Sequence, residues 1–208
     1  MIADGPSAKR PPHIWLEPDL SIRSVTLVAL ALPFSLLLAG CDRQSTAPTQ
    51  AGETKEAAST IDRTFAGDPL PAAKLSDPED ATLDLATLKG KPVLLNLWAT
   101  WCVPCVTEMP MIDDLAGEYG DRLQVVVASQ DLQGADKVVP FFAKQKFANL
   151  HPWMDPENTL GFALGGGQLP TTVLYDAQGK EVWRVTGEFD WSGAEARGLV
   201  DEGLGSKP

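Results

Sequence analysis

The sequence predicts an α/β fold with a mixed central sheet flanked by helices. Three observations lead there. Apolar runs of strand length, Pro92–Trp98 and Leu123–Ala128, alternate with longer stretches of helical patterning, Val106–Tyr119 and Asp136–Lys146. Two further strand-like runs, Thr171–Asp176 and Lys180–Thr186, are joined by Ala177-Gln178-Gly179, a hairpin signal. An order of β-α-β-α followed by β-β-α needs both parallel and antiparallel neighbours in one sheet. At 208 residues and 44% hydrophobic content, the chain can bury one core and still carry extra segments.

The elements follow in order. Val25–Ala39 (VTLVALALPFSLLLA) is apolar but shorter than the ~20 residues of a spanning helix, and has the length of a signal-peptide core. It ends in Leu38-Ala39-Gly40-Cys41, which resembles a bacterial lipoprotein processing site, where the cysteine is lipid-modified and becomes the new N-terminus. Residues 1–40 therefore read as a signal peptide. Residues 1–19 carry acids ill-suited to its basic start, which places the true start near Leu20. Asp42 resembles an inner-membrane retention signal of enterobacterial lipoproteins. Residues 41–65 are rich in Ser, Thr, Ala, Gln, Glu and Lys, a flexible tether too polar to build a core. The folded domain is expected over residues 66–208.

Within it, Phe65–Leu88 offers a short edge element. Lys91–Trp98 is the central strand. Val106–Tyr119 is a helix kinked by Pro110 and ended by Gly120. Leu123–Ala128 is a second buried strand. Asp136–Lys146 is a helix with Val138, Val139 and Phe142 turned inward, joined by Phe147, and with Pro140 in its first turn or at a bend. Pro156–Leu164 is a short helix ended by Gly165-Gly166-Gly167. Ser192 with Glu195 is a capping box that opens a last helix, to about Glu202.

Trp101-Cys102-Val103-Pro104-Cys105 lies where the central strand meets the first helix. Two cysteines three apart there can close a disulfide, and the helix start favours a thiolate on the first. A structural zinc needs about four ligands, but only Cys41, His13 and His151 remain. A c-type haem needs His after the second cysteine, and Val106 is there. Reversible dithiol–disulfide exchange is the favoured chemistry. Cu(I) held between Cys102 and Cys105, or plain packing, are its rivals. His151 reads as structural, and no metal or other cofactor is expected. The net charge of −11 disfavours a phosphate-tracking surface, and no nucleic-acid signal is visible.

Asn96 to Cys105, with Glu108, Met109 and Pro110 behind it, closely resembles the thioredoxin-like proteins of the TlpA/ResA type. Gln168-Leu169-Pro170-Thr171-Thr172-Val173-Leu174-Tyr175-Asp176 resembles that group's second signature. The resemblance spans roughly residues 68 to 203. It implies a thioredoxin fold with an insertion, Phe147–Leu169, before the second signature. It implies Cys102 as exposed nucleophile and Cys105 as shielded resolving thiol. It implies a cis Leu169–Pro170 bond facing them, with Leu169 and Thr171 beside a bound extended substrate and Trp101 and Pro104 lining the site. Trp101 could equally pack in the core. Glu108 is implied to be a partly buried acid that accepts the proton of Cys105. Asn96 strengthens that case, because the buried aspartate of thioredoxins proper is absent here.

The expected function is that of a membrane-tethered periplasmic thiol–disulfide oxidoreductase, working as a reductant. It would take electrons from a membrane thiol donor and reduce disulfides of exported proteins, in cytochrome c maturation or copper delivery. A monomer, lipid-anchored at Cys41 to the inner membrane, is expected.

Overall fold

The computed structural model of the chain describes residues 60–205. The expected signal peptide, the start near Leu20, Cys41 and the tether up to Ser59 lie outside the described residues. The core of the domain is β4, Val93–Trp98, whose six residues are all buried. Its odd-numbered side chains face one layer and its even-numbered ones the other, as a strand covered on both faces requires. Val93, Leu95 and Leu97 pack with Val126, Val173 and Tyr175, and Leu94 and Trp98 pack with Met109, Ile112 and Trp183.

Beside β4 runs β5, Gln124–Ser129, in parallel, with Leu95 opposite Val126. On its other side β7, Thr171–Tyr175, is antiparallel, with Leu95 opposite Val173. A hairpin leads to β8, Glu181–Thr186. The Asp176 carboxylate accepts from the backbone of Gln178 and Lys180, and Gly179 takes a φ of 73°, so the turn residues expected from sequence close the hairpin.

The first segment differs from the expected tether boundary. Thr60–Asp62 is strand β1, paired antiparallel with β8, so the fold begins before residue 66. Polar composition suits a short edge strand, which buries little side chain. The expected single edge element is two strands, β2 (Lys74–Ser76) and β3 (Thr82–Asp84), followed by a 3-10 turn, Leu85–Thr87. With β6, Trp153–Met154, they complete an eight-stranded sheet of order β1-β8-β7-β4-β5-β6-β2-β3.

Helix α1 runs Val103–Tyr119, starting three residues before the expected Val106 and ending at Gly120, whose φ is 51°. Val103 and Pro104 can open it because the first N–H groups of a helix have no internal partner. Pro110 lies inside it. Helix α2, Ala135–Gln145, carries Pro140 beyond its first turn. It buries Val138, but Val139 is 43% exposed. The inward partner of Phe142 is Phe141, whose ring centroid lies 5.0 Å from that of Trp98. Two adjacent phenylalanines straddle the face and outweigh one valine in apolar area. Helix α3 is Thr159–Ala163 and α4 is Ala194–Gly203. The expected Ser192–Glu195 capping box is absent. The Ser192 backbone N–H and hydroxyl both donate to Asp190 Oδ1, and Gly193 occupies the cap. A carboxylate two residues away competes successfully for Ser192. Among the described residues no helix is long and apolar enough to cross a membrane.

Candidate active site

The two cysteines lie just beyond the C-terminal end of β4, next to that of the parallel strand β5. After Trp98 the chain turns once: the Cys102 N–H donates to Ala99 O at 3.1 Å, and α1 begins. Cys102 is the N-cap of α1, and its Sγ accepts from the Cys105 N–H at 3.4 Å. The two sulfurs are bonded to each other, with the Cα atoms 5.3 Å apart. Cys105 is 1% exposed and Cys102 6%. Cys105 is shielded, as expected. Cys102 corrects the expectation of an exposed residue: in the disulfide form it is itself buried, though less so than its partner. Its neighbours are the exposed groups, Trp101 at 68% and Val103 at 76%. Trp101 is therefore not a core residue. The turn leaves the sheet before it can point inward.

The second signature approaches from β7. The last β4–β7 pair is Leu97 with Thr171, and one step further come Trp98 on one strand and Pro170 on the other. The Leu169–Pro170 bond is cis and sits at the end of β4 from which the cysteine turn departs. The Pro170 carbonyl accepts from Gly187 N–H at 3.0 Å, and the Thr171 hydroxyl donates to Gln168 O at 2.7 Å. Thr171 is buried, and Leu169 is half-buried and packs against both layers of the core.

Glu108 lies one helical turn past Cys105 and is 1% exposed. Its Oε1 accepts from the Phe189 N–H at 2.6 Å, while Oε2 has no partner within the protein. Burial pushes its carboxyl up to about 7, with the nearby Glu188 charge adding to the rise. The Phe189 N–H opposes it, as does the Trp191 indole N–H, which lies near the carboxylate without making a well-aligned hydrogen bond. Asn96 is buried in β4 on the Trp98 side, and its amide donates to Thr172 Oγ1 at 2.9 Å. It bridges β4 to β7 and carries no charge.

Sequence reasoning missed Asp131, just past the end of β5. Its carboxylate accepts from the Thr100 N–H at 2.9 Å, the Thr100 hydroxyl at 2.7 Å and the Ser129 hydroxyl at 2.7 Å. Asp131 is 3% exposed. The available signal was Ser129-Gln130-Asp131, two side chains able to bond each other, closing an apolar strand.

His151 stands apart from this arrangement. Its Nε2 lies 3.0 Å from Asp77 Oδ2, and its ring is 4.5 Å from that of Trp153. Asp77 also accepts from the backbone of Glu79 and Ala81, contacts that hold its carboxyl below the usual range although burial opposes them. Among the described residues no group of three or more His, Cys, Asp or Glu side chains could hold a metal ion.

The redoxin family matches residues 65–200. Thiol-disulfide oxidoreductase ResA of Bacillus anthracis is 34% identical over 122 residues, 59% of this chain and 70% of its own length. Thiol:disulfide interchange protein DsbE of Pseudomonas fluorescens biotype C is 34% identical over 143 residues, 65% of this chain and 78% of its own. Among solved structures, the exposed lipoprotein thioredoxin of Streptococcus pneumoniae strain TIGR4 is similar with a TM-score of 0.52 and 28% identity, covering 62% of this chain and 98% of that one. The fold is thioredoxin-like, a mixed sheet flanked by helices.

Proposed function

The chain belongs to the redoxin family and is a thiol–disulfide oxidoreductase, and from that premise we propose that it is a lipid-anchored reductase of disulfides in exported proteins. The observation that carries the reading is a cysteine pair at the start of α1 with a buried acid one turn below it, whose carboxyl burial pushes up to about 7.

The steps follow from the positions. In the reduced protein, the Cys102 thiolate, stabilised at the helix start, attacks one sulfur of a partner disulfide. A Cys102–partner disulfide forms and the other partner sulfur leaves as thiolate. Cys105 then loses its proton to Glu108 and attacks the Cys102 sulfur. The Cys102–Cys105 disulfide closes and the partner leaves with both sulfurs reduced. Two electrons have moved from the protein to the partner, and a membrane thiol donor returns them. A carboxyl near 7 is matched to taking a proton at neutral pH. The partner chain would lie extended against Leu169 and Thr171, pairing with the backbone before Pro170 as an added strand, with Trp101 and Pro104 at its side.

The apolar run Val25–Ala39 and the Leu38-Ala39-Gly40-Cys41 sequence support export and lipidation at Cys41. Apocytochrome c and copper-delivery proteins are the candidate partners, at the periplasmic face of the inner membrane.

Cys105→Ser tests the reading. The first attack survives, but a serine hydroxyl cannot resolve the mixed disulfide. Covalent adducts accumulate in the cell envelope, vanish on reduction, and identify the partner. Cys102→Ser gives few. Equal trapping by both variants would overturn the assignment of Cys102 as nucleophile. No trapping by either, with tight Cu(I) binding by the reduced protein, would favour a copper-binding protein instead.

A further inference from the structure

We propose that Asp131 is a positioning residue for the attacking thiol, acting through Thr100 to hold the Ala99–Cys102 turn so that Cys102 caps α1. The inference rests on the reading that Cys102 attacks first.

The contacts are specific to this turn. Thr100 has one backbone N–H and one hydroxyl hydrogen, and both go to the two oxygens of one carboxylate, at 2.9 and 2.7 Å. The carboxylate is itself held, since the Ser129 hydroxyl donates to Oδ2 and the Asp131 N–H donates back to Ser129 Oγ at 3.1 Å. Ser129 is the last residue of β5, fully buried and in register with Trp98, the last residue of β4. The Gln130 N–H adds a bond to Trp98 O at 2.8 Å. The two parallel strands therefore end in one rigid frame, and Asp131 carries that frame across to Thr100.

The next bond along is the turn itself, Cys102 N–H to Ala99 O. Thr100 lies inside it, so fixing Thr100 fixes where Cys102 sits over the first turn of α1. In that place Cys102 Sγ receives the Cys105 N–H. A thiolate gains from that donor and the neighbouring helix-start N–H groups, and the gain falls off within a turn. A buried charged acceptor with three donors is worth more than any one neutral bond. Trp101, just after Thr100, and Leu132, just after Asp131, are both exposed, at 68% and 80%.

The test reads Cys102 itself. In the full chain carrying Cys105→Ser, the rate of Cys102 alkylation is followed from pH 5 to 10 by residue-resolved mass spectrometry. Urea unfolding of the same variants is measured alongside. The other titratable groups of the surroundings, Glu108 on α1 and Glu188 in the β8–α4 loop, stay unchanged. Asp131→Ala is expected to raise the inflection by about one pH unit, slowing alkylation below it about tenfold, with the plateau at high pH unchanged. Asp131→Asn keeps one acceptor oxygen and is expected to fall between. If Asp131→Ala does not fold, Thr100→Val removes only the hydroxyl donor and is expected to move the inflection the same way by less. An unchanged inflection with a lower urea midpoint would make Asp131 purely structural and overturn the proposal. An inflection that falls in both Asp131 variants would show the carboxylate's charge acting on the thiolate, which also overturns it. Failure of Cys102 to alkylate at any pH with Asp131 intact would instead overturn the nucleophile assignment, and the positioning role of Asp131 with it.

Discussion

Glu108 makes the stability of this protein depend on pH in a direction unusual for a carboxylate. The perturbation is Glu108→Gln. An ordinary glutamate titrates near 4.5, whereas burial holds this one at about 7 in the fold. Below 4.5 the group is neutral folded and unfolded, and it contributes nothing adverse. As pH rises from 4.5 toward 7, the unfolded chain releases the proton while the folded one keeps it, so stability falls. Above 7 both are ionised and the loss is complete. Moving a carboxyl from 4.5 to about 7 corresponds to about 3 kcal/mol at the upper end of that window. Glutamine is neutral throughout and removes the dependence. It also places an amide near the Trp191 N–H, a constant offset that cancels when each protein is compared with itself across pH. The assay is urea unfolding of the oxidised protein and the variant from pH 4 to pH 8. The wild type should lose about 3 kcal/mol more than the variant between the two ends. Parallel curves would refute the buried, proton-holding carboxyl, and with it the basis for the proton-acceptor role.

The same substitution should slow release of the trapped partner while leaving the first attack by Cys102 intact, because only Cys105 must lose its proton late. Reduction at the wild-type rate from pH 6 to 9 would contradict that. Arg184 donates through two nitrogens to Glu181, both at 2.7 Å, with Glu181 almost fully buried. Arg184→Met should therefore cost about 3–5 kcal/mol by urea unfolding, since it strands a buried carboxylate; a loss within the range of surface substitutions would show the pair to be solvated. Cys41→Ala should abolish incorporation of a labelled fatty acid and change membrane attachment, and a wild type that takes up no label would reject lipidation.

The chemistry of this chain was legible because it is local. Two cysteines one helical turn apart, with a proline between them and an apolar strand before them, can be read without any fold. Strand β4, helix α1 and the β7–β8 hairpin were legible for the same reason: their patterning and turn residues act over a few positions. Glu108 entered through the resemblance, since a helical glutamate by itself says nothing of burial. What places it 1% exposed is Phe189 and Trp191, which follow β8, some eighty residues along the chain.

The errors have the same origin. Ser192 and Glu195 have capping-box spacing, but Asp190 holds the serine. Val139 fits the inward stripe of α2, but the Trp98 ring takes Phe141 and Phe142 instead. Thr60–Asp62 reads as tether until β8 offers it an open edge. Sequence alone determined the cysteine pair, its place at a strand-to-helix junction and the order of elements around it. Only the tertiary structure decided that Cys102 is itself covered and that Asp131 reaches Thr100 across two strand ends. Periodicity and turn chemistry act through neighbours, whereas burial and long-range hydrogen bonds depend on which strands come to lie side by side.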